Sequence, residues 1–380
     1  MSSLLLLQSN MLFPKVLTRA FSSTTMVQLR ARALIYTQYG EPIDVLKVHS
    51  YELPQVGTNQ LLLQHLAAPI NPSDINQVQG VYPSKPPLTT DLGTDEPAAV
   101  GGNEGVFQVL EVGSGVEGYS KGDWVIPADV NYGTWRTHSV ADSSKMLKLP
   151  KEKLSLNQAA TIAVNPCSAY QMLNYYESLK PGDWFIQNAG NSQVGRAAIQ
   201  IGKKMGLNSI SIVRNRDNLQ ELVDELTELG ATHVITEEQN ESREFGATIK
   251  SWTKGSPIKL GLNAVGGSNC TALARKLAND ATLLTYGGMS MKPVIIPTGL
   301  LIFKNLNVKG FWVTANIKRI PNSRQDSINE VIKLMDTGAI VDTPNSDNFF
   351  ELKDSDESLL KTFQTALTNS KKGKQIVLFE

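Results

Sequence analysis

The stretch from Asp183 to Arg216, DWFIQNAGNSQVGRAAIQIGKKMGLNSISIVRNR, restricts the fold of this chain more than any other. Trp184, Phe185 and Ile186 form the short apolar run expected of a buried strand. Asn188 to Gly195 reads as a tight turn. Val194, Ala197, Ala198, Ile201 and Met205 then recur at three- and four-residue steps, which makes one apolar helical face. Gly206 stops that helix, and Ile210 to Val213 reads as a second buried strand. Strand, turn, helix and strand make a βαβ unit of the kind that holds a dinucleotide pyrophosphate on backbone N–H groups at a helix N-terminus. Gly190 allows the turn and Gly195 lets helix and strand approach closely. The middle of the usual G-x-G-x-x-G is filled by Asn191, Ser192 and Gln193. A glycine-containing βα turn in some other α/β domain remains the bland alternative. The second strand runs into Arg214, Asn215 and Arg216, and cations there favour the 2′-phosphate of NADPH over the free ribose hydroxyls of NADH.

Around this unit the pattern continues. Leu219 to Leu229 is an amphipathic helix, and His233 to Ile235, Leu260 to Val265 and Thr282 to Tyr286 read as further strands, with a helix over Cys270 to Leu277. Ala264–Gly267 and Tyr286–Met289 therefore lie beyond strand ends, where ligands of doubly wound sheets sit. Ahead of it, Gln28 to Tyr36, Gln60 to Leu66, Phe107 to Val112 and Trp124 to Ile126 read as strands of a β-rich domain. Leu156 to Leu173 turns helical. A helix through Ile328, Val331, Ile332 and Met335 and a strand over Gln375 to Phe379 are expected to return to the β-rich domain.

Length and charge limit the function classes. The chain has 380 residues, enough for two domains with cores of their own. Its 36 basic and 36 acidic residues balance, without the basic patch that nucleic-acid binding needs. Two cysteines and four scattered histidines offer no zinc-ligand spacing, so no metal is expected. The first 25 residues hold Lys15, Arg19, many serines and threonines, and no acid; the first acidic residue is Glu41. That is the composition of a mitochondrial transit peptide, expected over residues 1–22, with Arg19-Ala20-Phe21-Ser22 as a cleavage signal. A secretory signal fits less well, and translation from Met26 would give a cytosolic form. No later stretch has the apolar length of a membrane span.

The whole arrangement resembles the medium-chain dehydrogenase/reductase superfamily. Zinc-dependent members carry Gly-His-Glu where this chain has Gly102-Asn103-Glu104, so it is similar to the zinc-free branch. Within that branch it resembles the mitochondrial 2-enoyl thioester (enoyl-acyl-carrier-protein) reductases. The matching islands are Asn71-Pro72-Ser73-Asp74-Ile75-Asn76 with Gly80-Val81-Tyr82, Gly102-Asn103-Glu104-Gly105, Gly133-Thr134-Trp135-Arg136, Val164-Asn165-Pro166-Cys167, Gln187-Asn188-Ala189, Leu284 to Met289, and Gly310-Phe311-Trp312. Zinc-free quinone reductases share the Tyr82 stretch; the Asn103-Glu104 and Phe311-Trp312 islands separate the two better.

The resemblance implies an α/β fold, a Rossmann doubly wound parallel sheet plus a β-rich GroES-like catalytic domain. It divides the chain into a GroES-like domain over 23–160 and 315–380 and an NADPH-binding domain over 161–314. It implies NADPH-dependent reduction of trans-2-enoyl thioesters, carried by an acyl carrier protein or by CoA, in fatty acid synthesis of the mitochondrial matrix. Tyr82 matches the catalytic tyrosine and Trp312 a residue that orients the thioester. Asn165, Asn191, Ser192, Gln193, Val194, Arg214, Asn215, Arg216, Tyr286, Gly287, Gly288, Met289, Phe311, Trp312, Val313 and Lys374 match cofactor-contacting positions. A homodimer formed through Rossmann sheet edges is implied, with Val294 to Ile302 as a candidate edge strand interrupted by Pro297 and Gly299. Lys318, Arg319 and Arg324 form a basic cluster that either receives an acidic carrier protein or is a solvated loop. A quinone or enone reductase and a non-catalytic NADPH-binding module stand as alternatives.

Overall fold

The structure, a computed structural model, describes residues 29–380. The expected transit peptide lies outside the described residues. Two β-systems flank a continuous core.

The first system is antiparallel for the most part. Its spine is the strand Gln60–Ile70, whose leucines alternate inward, with Leu61 and Leu63 fully buried. Burying such a side chain contributes about 1.5–3 kcal/mol. Around that spine runs a seven-stranded sheet, in which Ser346–Phe350, Gln375–Phe379, Gln60–Ile70, Val106–Val112, Trp124–Pro127 and Met146–Leu149 follow one another and His138–Asp142 also pairs with the spine. A smaller sheet joins Lys47–Glu52, Arg30–Tyr36 and Ala99–Val100. The expected return of the C-terminal strand is thus observed: Gln375–Phe379 pairs antiparallel with the end of the spine.

The second system is a six-stranded sheet, every neighbouring pair parallel. In space its strands run His233–Thr236, Asn208–Val213, Trp184–Gln187, Ile258–Asn263, Thr282–Thr285 and Asn307–Gly310. The chain starts in the middle, moves outward to one side, then crosses back to fill the other. The strand order therefore reverses between Trp184–Gln187 and Ile258–Asn263, and the crevice beyond their carboxyl ends is where such a sheet takes a ligand. The helix Gln193–Lys204 packs on this sheet through Ala197, Ala198 and Ile201, in one core cluster with Phe185.

Local expectations are adjusted in three places, each for a tertiary reason. The segment Val294 to Ile302 makes no edge strand; Thr298–Lys304 is a helix, which Pro297 precedes, and the sheet ends instead in Asn307–Gly310, a strand with no apolar run to announce it. The helix Ser323–Asp336 touches the β-rich system, through Arg324 on Pro127 O and Lys153 on Asp336, and packs on the other system as well. It lies on the helix Asn165–Asn174, where Gln171 Nε2 donates to Ser323 O (3.3 Å) and Ser327 Oγ (3.2 Å) and Ile328, Val331 and Met335 enter the same cluster as Phe185. The region expected to be helical over Leu156 to Leu173 is two helices, Leu156–Thr161 and Asn165–Asn174.

Candidate active site

The cleft between the two systems has a backbone wall and a side-chain wall. The backbone wall begins where Trp184–Gln187 ends. Ser192 caps the helix Gln193–Lys204, its Oγ accepting from Gly195 N at 3.1 Å. A Cβ on Gly195 would lie 2.6 Å from the carbonyl oxygens of both Ala189 and Gly190, so only glycine lets the turn close this tightly. Below it, Asn188 Nδ2 donates to Asn263 Oδ1 (2.8 Å) and Asn269 Oδ1 (3.0 Å), while Asn188 Oδ1 accepts from Ala264 N (2.7 Å). These buried amides tie together the two strand ends that flank the crevice. Asn188 lies in an island picked out by the resemblance; Asn263 and Asn269 escape sequence reading because lone asparagines carry no periodic signal.

The residues expected to touch a cofactor gather here, with differences. Asn191, Ser192 and Val194 line the turn, half-buried. The Gln193 side chain is engaged elsewhere: its Nε2 donates to Pro344 O (3.0 Å) and its Oε1 accepts from Thr343 Oγ1. Tyr286 to Met289 follow Thr282–Thr285, held by Tyr286 N to Asn263 O and Met289 N to Ala264 O, both 2.9 Å. Arg214 and Asn215 are exposed and Arg216 is half-buried. Neither guanidinium forms an ion pair among the described residues, and Arg216 Nε is a buried donor without a partner. A glycine-lined turn at a capped helix N-terminus, beside two unpaired arginines, fits a dinucleotide phosphate. Phe311 turns away, buried against Tyr176 in an edge-on contact with ring centroids 5.8 Å apart. Val313 begins the helix Val313–Arg319.

The side-chain wall starts from the helix Pro72–Val78. Its capping box pairs Asn71 with Asp74, and Asn71 N donates to Asp74 Oδ2 at 2.8 Å. Behind it lies a buried polar network. Lys374 Nζ donates to Asn71 Oδ1 (2.7 Å), which also accepts from Asn165 Nδ2 (3.4 Å). Asn71 Nδ2 donates to Glu104 Oε2 (2.9 Å), and Glu104 Oε1 accepts from Val164 N (2.8 Å). Asn165 and Lys374, distant in sequence, thus converge on one amide that spans both systems. Burial pushes the Glu104 and Asp74 carboxyls up and the Lys374 ammonium down, while attraction between Lys374 and the two carboxylates opposes each shift. Asn71, Asp74 and Glu104 were legible only in part; the Asn-x-x-Asp spacing signals a helix start but not the long-range partners.

Asn103, at the position of the zinc-dependent imidazole, is fully employed as an amide. Its Nδ2 donates to Asp74 Oδ1 (2.7 Å) and Gln77 Oε1, and its Oδ1 accepts from Asn131 N (2.8 Å). Among the described residues no three His, Cys, Asp or Glu side chains gather as a metal-holding group.

Just beyond the helix Pro72–Val78 stands Tyr82, where the two systems meet. Trp312, from just beyond the last strand of the parallel sheet, reaches it from the opposite side: Trp312 Nε1 donates to the Tyr82 hydroxyl oxygen at 2.9 Å, with the rings perpendicular and their centroids 6.0 Å apart. Burial raises the Tyr82 pKa above the ordinary phenol value, the Trp312 hydrogen bond opposes this and the charge of Asp74 adds to it. The phenol is therefore protonated at neutral pH, and its oxygen already accepts one bond, so its own O–H is free to donate.

Two sequence families match: one described as an alcohol dehydrogenase GroES-like domain over residues 57–151, the other as a zinc-binding dehydrogenase over 194–336. The chain is 48% identical over 381 residues to enoyl-acyl-carrier-protein reductase 1, mitochondrial, of Candida tropicalis, covering 96% of this chain and 97% of that protein. The chain belongs to the mitochondrial enoyl-acyl-carrier-protein reductases. A solved structure of Etr1p in complex with NADP and crotonyl-CoA superposes with a TM-score of 0.89 at 49% identity, covering 92% of this chain and all of that one (100%). Similarity also extends to a protein named NADPH quinone oxidoreductase from Kluyveromyces marxianus, 46% identical over 341 residues (87% of this chain, 89% of that protein). Members of the reductase family thus have a neighbour named for a different acceptor.

One surface expectation changes. Lys318 and Arg319 are exposed, but Arg324 turns inward and donates to Pro127 O at 2.8 Å. The basic patch is therefore two residues, because the third satisfies a main-chain carbonyl of the antiparallel system.

Proposed function

We propose that this chain reduces trans-2-enoyl thioesters to saturated acyl thioesters with NADPH, with Tyr82 as the acid. The observation that carries the reading is the Trp312–Tyr82 hydrogen bond, which joins a residue of each system. When bound there, NADPH would supply the hydride that Cβ of the enoyl group receives. Negative charge then develops on the thioester oxygen, and Cα must gain a proton. The Tyr82 hydroxyl donates to the forming enolate and gives up that proton, regaining one from solvent. Trp312 holds the phenolic oxygen while it does so and stabilises the phenolate left behind. Arg214 and Arg216 take the 2′-phosphate, and the N–H groups of Asn191, Gln193 and Val194 take the pyrophosphate. Asn165 and Lys374, fixed on Asn71, border the nicotinamide end. The physiological substrate is borne by an acidic acyl carrier protein that meets Lys318 and Arg319. The enzyme works in the mitochondrion, as its relatives' names state; its place there is the matrix.

A second copy of the chain completes the assembly. The strand Asn307–Gly310 is an exposed edge, and beside it Phe303 is 81% and Ile302 65% exposed. An open strand edge flanked by apolar side chains pairs readily with its own copy. Phe303→Asp is expected to convert a dimer to monomers in light scattering; a native that is itself monomeric at micromolar concentration removes the dimer.

The deciding assay follows NADPH oxidation with a medium-chain trans-2-enoyl-CoA and, separately, with a quinone of similar size. Rapid turnover of the thioester alone is the expected result. The similarity to the quinone oxidoreductase makes the second arm necessary: preference for the quinone would replace this reading with that one.

A further inference from the structure

Tyr82 stands on an exposed arch. Val81 before it is 71% exposed, and Pro83 after it is exposed too, so burial does not hold the arch in place. Hydrogen bonds do, and one residue makes them at both feet. At the near foot, Gly80 N donates to the Gln77 main-chain oxygen at 3.0 Å, beside Val81 N and Tyr82 N on Asn76 O. At the far foot, Gln77 Nε2 donates to Ser84 O at 2.7 Å and to Asn131 Oδ1 at 2.7 Å. Gln77 itself is 4% exposed.

A buried amide serves this purpose only if its nitrogen faces the arch. Here that orientation is imposed. Both Asp74 oxygens accept, Oδ2 from Asn71 N and Oδ1 from Asn103 Nδ2. A carboxylate has no hydrogen to offer, so Asn103 must present its NH2 to it. The same NH2 reaches Gln77 Oε1, which turns the Gln77 nitrogen toward Ser84. The order runs from the group without ambiguity to the arch: Asp74, Asn103, Gln77, Ser84 O.

We infer that Gln77 is a positioning residue for the Tyr82 phenol, with Asn103 and Asp74 setting the direction of its amide. The inference rests on the reading of Tyr82 as the acid. Proton delivery demands placement within a fraction of an ångström, and a misplacement of about 1 Å can cost roughly 100-fold. Gln77 touches no reacting atom; it acts through the arch.

The test is a double-mutant cycle on the full chain, with NADPH and a trans-2-enoyl-CoA as probes. Gln77→Met keeps the side-chain length and removes both donors. Its kcat is expected to fall about 10- to 100-fold while the KM for NADPH stays within about twofold. Combined with Tyr82→Phe, Gln77→Met should cost nothing more, since its only route to the chemistry has been removed. Multiplying losses in the double variant would overturn the inference, as would an unchanged kcat in Gln77→Met. Near-native turnover in Tyr82→Phe alone would strike the Tyr82 reading instead, and the inference with it. Should Gln77→Met fail to fold, Gln77→Glu decides: its carboxylate opposes Ser84 O when ionised and donates to it when protonated. Activity that rises as pH falls, along a limb the native enzyme lacks, supports the positioning role. A profile that matches the native one refutes it.

Discussion

The wall around residues 184–195 and the wall around residues 71–84 face the same cleft, yet they are made specific in different ways. In the first, shape comes from main chain: a strand end, a glycine without room for a Cβ and a capped helix N-terminus. In the second, shape comes from side chains that reach one another over long stretches of sequence, such as Lys374 to Asn71 and Trp312 to Tyr82. A backbone wall tolerates many side chains but not a Cβ at one position. A side-chain wall tolerates backbone adjustment but not the loss of one polar group, because a buried partner is then left unpaired.

The contrast can be tested from its largest effect downward. Tyr82→Phe should lower turnover by about 10²- to 10⁴-fold while NADPH titration by fluorescence stays native. The same phenol predicts a pH profile: the acid form is the working one and burial raises its pKa, so native activity should hold through neutral pH and fall only above the ordinary phenol value of 10.0. A basic limb near neutrality would assign the proton to another group. Gly195→Ala should do the reverse of Tyr82→Phe. Its Cβ meets two carbonyl oxygens at 2.6 Å, so the turn must open; a stability loss of about 1–3 kcal/mol is expected in denaturant melts, together with weakened NADPH binding. Native binding would show that the turn relaxes without consequence.

Replacing Arg214 and Arg216 by Ala should raise the KM for NADPH about 10- to 100-fold, given about 1.5–3 kcal/mol for a hydrogen bond to a charged group, and leave the enoyl KM nearly unchanged. Equal effects on both would remove the 2′-phosphate contact. The smallest effect is expected at the surface. Lys318→Glu with Arg319→Glu should reduce use of carrier-protein-borne substrate by several-fold, in a salt-dependent way, and spare the CoA thioester. If both substrates suffer alike, the patch does not dock the carrier.

Legibility followed the same division. The strands from Trp184 to Thr285 stand close to their expected places because buried parallel strands must be apolar and must end in turn residues. The edge strand Asn307–Gly310 did not announce itself, since an edge exposed in the single chain needs no apolar run. Its neighbours in sequence make Arg324 look like part of an exposed basic cluster, but the carbonyl it satisfies belongs to Pro127, which no local pattern reveals. Phe311 and Trp312 are adjacent aromatics with equal claims on paper; strand direction buries the first and sends the second across the cleft.

By itself the sequence determined the βαβ unit, the glycine turn and the cationic strand end, because backbone conformation and periodic burial are local properties that neighbouring residues dictate. The tertiary structure alone decided that Asn71 gathers Lys374, Asn165 and Glu104, that Gln77 braces the Tyr82 arch, and that Trp312 meets the phenol. Those are meetings of polar groups from segments far apart in the chain. Each needs the whole fold to bring donor to acceptor in a dry interior, where an unmade hydrogen bond is costly and a made one can hold an atom in place.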